Sequence, residues 1–123
     1  SYVRQRIHFT QVFDEAIRPL VSEDNCLYTN TVRYEWDPQK AEANRKDHGV
    51  SFADAVSVFE DYFALTREDP DAEGEQRFVT LGSDLTGVLL VVVYTYREPD
   101  IIRLISAWKA NKAQRIRYEK HRR

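Results

Sequence analysis

Between Gln76 and Trp108, three segments of strand-like composition follow one another with almost no chain between them. Gln76–Gly82 and Val88–Arg97 are separated by a turn around Asp84–Gly87, and Glu98-Pro99-Asp100 leads into Ile101–Trp108. A parallel crossover needs a dozen or more residues, so connections this short force antiparallel neighbours. The longest apolar run, Val88–Val93, reads as a buried strand and is far too short to cross a bilayer. Tyr62–Arg67 reads as a further strand, followed by an acidic, turn-rich loop from Glu68 to Gly74.

Upstream the apolar period is helical. Phe9, Val12, Phe13, Ala16, Ile17 and Leu20 predict an amphipathic helix ending near Pro19, and Val21–Thr31 reads as a polar loop. A short strand, Val32–Trp36, leads to Asp37-Pro38, an N-cap followed by proline at the first helical position. That helix runs to about Asp47, with Gly49 as its C-cap. Ser51 caps another helix with the apolar stripe Phe52, Ala55, Val56 and Phe59, and Asp54 stands at the capping-box position. A last, mostly polar helix spans Lys109 to about Lys120, with Ala110, Ala113 and Ile116 or Arg117–Tyr118 as its contact side. This order predicts an α+β fold: a small antiparallel sheet, helices packed on one face, and a basic C-terminal helix.

A chain of 123 residues suits one domain, and 42% hydrophobic with 12% aromatic residues is a folding composition. The lone Cys26 excludes an internal disulfide, and with no charged-then-apolar leader at the start a cytoplasmic protein is expected. The net charge of −2 conceals polarity. From Arg97 onward nine Lys or Arg face three acids, whereas residues 1–96 carry nine bases and seventeen acids. Such a basic end meets either water, as a solvated helix, or an acidic partner such as RNA.

The string Tyr34-Glu35-Trp36-Asp37-Pro38-x-Lys40, then Asn44-x-Lys46-x-His48-Gly49-Val50-Ser51-Phe52-x-x-Ala55, is distinctive. Val58-Phe59-x-Asp61, Gly74-Glu75-x-Arg77-Phe78, Leu90–Thr95 with Arg97, and Ile101–Ala107 follow in order, then Ala110 and Tyr118. Over roughly residues 33–120 this series closely resembles the BrnT family, the toxin half of bacterial BrnT–BrnA toxin–antitoxin pairs. The resemblance implies a RelE-like ribonuclease fold and RNA cleavage that arrests growth. It also implies neutralisation by a BrnA-like ribbon-helix-helix antitoxin, through which the complex reaches operator DNA. A toxin domain over 33–123 is expected, with residues 1–32 as an amphipathic arm outside the match that packs on the sheet to cover the core, mediates a homodimer, or covers the site as an antitoxin segment would. The family usually reads Ser-Ala-Arg-Arg/Lys-Ala where this chain has Ser106-Ala107-Trp108-Lys109-Ala110. An indole offers a stacking face and one N–H where an arginine would offer a bidentate fork. Trp108 therefore points either to base stacking or to a weakened toxin that only docks its antitoxin and takes part in promoter repression.

Metal-independent RNA cleavage needs a base for the 2′-hydroxyl, cations for the phosphorane-like transition state, and an acid for the leaving oxygen. Pairing through the Asp84–Gly87 turn should bring Arg77 and Arg97 together, with Arg103 mid-strand beside them and Lys109 opening the last helix. The four cations are expected to converge on one side of the sheet, unless they only pair with Glu75, Glu98 and Asp100. Glu75 is either a base or a partner orienting Arg77. The expected catalytic set is Arg77, Arg97, Lys109 and Glu75. Arg103, Trp108, Lys112, Tyr118, Lys46 and His48 are the expected RNA contacts, although His48 beside a helix end also suits a capping role. Tyr94 is a further proton-carrier candidate whose setting in an apolar strand equally suits the core. His8, His48 and His121 are scattered, and no HExxH, glycine-rich phosphate loop or nucleophile elbow occurs, so neither metal nor cofactor is expected.

Overall fold

The computed structural model describes residues 3–4 and 32–122. The helix expected over Phe9–Leu20 and the loop after it lie outside these residues. The described elements are β1 (Val3–Arg4), β2 (Arg33–Glu35), α1 (Pro38–His48), α2 (Phe52–Ala55) running into a 3-10 turn (Val56–Glu60), β3 (Leu65–Glu68), β4 (Phe78–Ser83), β5 (Leu89–Glu98), β6 (Ile101–Lys109) and α3 (Lys112–Arg122). The strands form one sheet in the order β1-β3-β4-β5-β6-β2.

The helix signals act as their chemistry requires. Asp37 Oδ1 accepts from Gln39 N at 2.9 Å, Pro38 stands in the first turn, and Gly49 ends α1 at φ +72°. Ser51 Oγ accepts from Asp54 N at 3.0 Å to start α2. In the sheet, β3–β4, β4–β5 and β5–β6 pair antiparallel, as their short connections demand.

Three expectations are corrected. First, β2 pairs parallel with β6, Arg33 opposite Ile101 and Glu35 opposite Arg103. Everything from α1 to β5 intervenes between them, so no hairpin constrains their direction. Second, the helices do not share one face. Leu90, Val92, Tyr94, Ile102 and Leu104 pack under Phe52, Ala55, Val58 and Phe59 on one side. Leu65, Leu81, Val91 and Val93 pack with Ala110 and Tyr118 on the other, so α3 covers the opposite face. The alternation of side chains along a central strand buried on both sides requires two such layers. Third, Lys109 ends β6 rather than opening the last helix. Ala110 N donates to Leu89 O and carries the ladder one residue on. Helix α3 starts behind a reciprocal cap, with Asn111 N donating to Gln114 Oε1 and Gln114 N to Asn111 Oδ1, both at 2.8 Å.

Tyr94 is fully buried, its hydroxyl 2.8 Å from Thr80 Oγ1 and its ring edge-on to Phe59. It belongs to the core and has no route to a substrate.

Candidate active site

The β4–β5 hairpin places Arg77, one residue before β4, next to Arg97, near the end of β5. Glu75 lies between them. Arg77 Nε stands 3.6 Å from Glu75 Oε2, and Arg97 Nη1 stands 3.5 Å from Glu75 Oε1. Both separations are longer than a charge-assisted hydrogen bond, so each carboxylate oxygen keeps lone pairs for another donor. All three side chains are one third to one half exposed. Arg77 Nε is itself buried and has no hydrogen-bond partner among the described residues. The backbone beneath the cluster is tied down: Asp69 N donates to Arg77 O at 2.8 Å, and Thr95 Oγ1 donates to Gln76 O at 2.6 Å.

Arg103 stands opposite Thr95, which is one step beyond the Phe78–Tyr94 pair that follows Arg77. Arg77 and Arg103 therefore share a pleat side and lie two strand spacings apart, roughly 10 Å. Arg103 Nη1 donates to Glu35 Oε2 at 2.9 Å, a partner the sequence did not reveal because it arrives on the parallel strand β2. Three of the four expected cations thus occupy one end of the sheet.

Lys109 does not join them. It lies at the other end of β6, six residues from Arg103 and roughly 20 Å away. There it borders a recess with His48, Trp108 and Asp47. The His48 and Trp108 ring centroids are 5.9 Å apart. The half-exposed indole and exposed imidazole form a small aromatic surface beside a lysine, suited to stacking a base near a phosphate. Lys46 and Lys112 are exposed on α1 and α3.

Tyr118 is buried, and its hydroxyl donates to Asp61 Oδ2 at 2.6 Å. Burial first, and then this bond to a carboxylate, push the Tyr118 phenol above its ordinary value. Asp61 also accepts from Phe63 N at 3.0 Å and Ser83 N at 2.8 Å, so it fastens α3, β4 and the turn before β3 together. Asp61 occurs in the motif string quoted above, yet nothing in its spacing announced this role. Among the described residues no group of His, Cys, Asp and Glu could hold a metal ion, and no helix is long and apolar enough to cross a membrane.

Three comparisons bear on this arrangement. A family model described as the ribonuclease toxin BrnT of type II toxin–antitoxin systems matches residues 36–114. The 1.1 Å crystal structure of the Brucella abortus ribonuclease toxin BrnT superposes with a TM-score of 0.51 at 20% identity, covering 67% of this chain and 100% of that one. The likeness is one of fold. No curated protein sequence matches significantly.

Proposed function

Because the chain belongs to the BrnT family of type II toxin–antitoxin ribonucleases, we propose that it cleaves RNA without a metal at the Glu75–Arg77–Arg97 cluster. The observation that carries this reading is one carboxylate standing 3.5–3.6 Å from two guanidiniums on a half-exposed surface. Glu75 takes the proton of a 2′-hydroxyl, and the 2′-oxygen forms a bond to phosphorus. Charge then grows on the non-bridging oxygens, where Arg77 and Arg97 stabilise it, with Arg103 holding the adjoining phosphate. The bond from phosphorus to the 5′-oxygen breaks, that oxygen takes a proton from water, and a 2′,3′-cyclic phosphate and a 5′-hydroxyl result. Trp108, His48, Lys46, Lys109, Lys112 and the Tyr118 side of α3 line the further path of the strand.

In this reading the scaffold is RelE-like, residues 33–123 form the toxin domain, and residues 1–32 are an added arm. The family match beginning at residue 36 supports that division. The neutralising partner is a BrnA-like ribbon-helix-helix antitoxin, which alone touches operator DNA, and the setting is the cytoplasm. A second reading is a weakened homologue that docks its antitoxin and co-represses a promoter. Trp108, in place of the family's basic residue, favours it.

The test is incubation of the purified chain with RNA in EDTA, followed by mapping of the cleavage ends. Cyclic phosphate and 5′-hydroxyl ends are expected, and Glu75→Gln should lower kcat by about 10²- to 10⁴-fold. Ends bearing a 5′-phosphate, or loss of cleavage in EDTA, would sink the mechanism. Folded protein that binds the antitoxin but leaves RNA intact would support the second reading.

A further inference from the structure

Beyond Lys109, a cleft of about 600 Å³ opens between α3 and the turn end of the sheet. Lys109, Arg115 and Arg122 line it together with Asp61, Phe63 and Tyr118. Its two acidic groups are already engaged. Asp61 accepts three hydrogen bonds, one of them from Tyr118, and Glu119 pairs with Arg122 at 3.7 Å. Neither Lys109 nor Arg115 has a carboxylate partner among the described residues. Arg115 is also held in place, since its Nη1 donates to Ala110 O at 3.0 Å and so immobilises the guanidinium beside the end of β6. A fixed guanidinium with donors to spare, in a cleft that Lys109 also lines, matches the charge and fork geometry of a phosphodiester.

We propose that this cleft is a second RNA-backbone site, in which Lys109 and Arg115 take a phosphate several nucleotides away from the scissile one. The inference rests on the ribonuclease reading above and makes it more specific. It turns the separation of Lys109 from the arginine cluster into a length requirement. A strand must cover roughly 20 Å of sheet to touch both ends, so a short substrate held at the Glu75 end does not reach the cleft as well. Arg122 lies 5.8 Å above the Phe63 ring and closes the far wall rather than offering a free charge.

The test uses the full chain carrying Glu75→Gln, so that bound RNA stays whole, with two labelled single-stranded probes of about twelve and about three nucleotides. Lys109→Gln and Arg115→Ala should each weaken binding of the long probe by about tenfold and lower its log–log salt dependence by about one. The short probe, which cannot span both ends of the sheet, should lose less than about twofold. Because Arg115 also bonds the backbone, circular dichroism must show that Arg115→Ala is folded, and Lys109→Gln, whose side chain has no such bond, carries the conclusion alone if it is not. Equal effects on both probes, or none on the long one, would overturn the second site while leaving RNA cleavage standing. If the long probe binds neither the unsubstituted chain nor the Glu75→Gln variant, the ribonuclease reading fails and this inference falls with it.

Discussion

The side chain of Asn44 pairs with the backbone of Ala107 as a neighbouring strand would: Nδ2 donates to Ala107 O at 2.8 Å, and Oδ1 accepts from Ala107 N at 3.1 Å. Strand β2 pairs with β6 only through Arg103, so beyond that point the edge of β6 lacks a strand partner among the described residues. A buried primary amide on α1 supplies both halves of the missing ladder rung and also donates to Val50 O at 3.0 Å. It thereby fixes the distance between α1 and the segment carrying Trp108 and Lys109.

Replacing Asn44 by alanine leaves both Ala107 groups and the Val50 carbonyl without partners in a dry place. A loss of about 3 kcal/mol or more in denaturant-derived stability is expected, since three buried groups are orphaned and each costs on the order of 1–3 kcal/mol. Asn44→Asp, which keeps the acceptor but loses the donors, should still lose more than a surface substitution does. A change below about 0.5 kcal/mol for Asn44→Ala would show that the edge is otherwise satisfied.

Gly82 is required by space. A Cβ built there would lie 2.9 Å from Val58 Cγ1 and 3.0 Å from Ala64 Cβ, both fixed parts of the core. Gly82→Ala should therefore destabilise by about 1–3 kcal/mol through overpacking, seen as a lower urea midpoint with an unchanged slope.

Alkaline pH should weaken the fold. Burial raises the phenol pKa of Tyr34, helped by the charge of Glu60; burial likewise raises that of Tyr94, and that of Tyr118 beside Asp61. Between the ordinary tyrosine value and the raised one, the folded chain holds protons that the unfolded chain has released. Stability is thus complete below about pH 10 and declines as pH rises beyond it. Denaturant midpoints taken from about pH 8 to about pH 11 should fall over the upper part of that range, and less steeply in Tyr118→Phe. A flat profile would contradict these shifts.

Trp108→Arg places a guanidinium next to His48 and Lys109. RNA affinity should rise, its salt dependence should steepen by about one, and growth arrest on induced expression should strengthen. Unchanged affinity and growth would place this corner of β6 off the path of the strand.

What lay open in the sequence was local. Asp37, Pro38, Gly49 and Ser51 act through backbone groups a few residues away, so their roles follow from position alone. The turns flanking β5 left no topology but antiparallel neighbours, and that alone brings Arg77 and Arg97 together. The relationships that escaped are long in sequence. Glu35 meets Arg103, Tyr118 meets Asp61, and Asn44 meets Ala107 because layers stack in space, and no spacing rule reaches across some sixty residues. The same holds for Lys109. Chain order placed it beside the other cations, but each residue of an extended strand adds about 3.3 Å, and six of them carried it to the opposite end of the sheet.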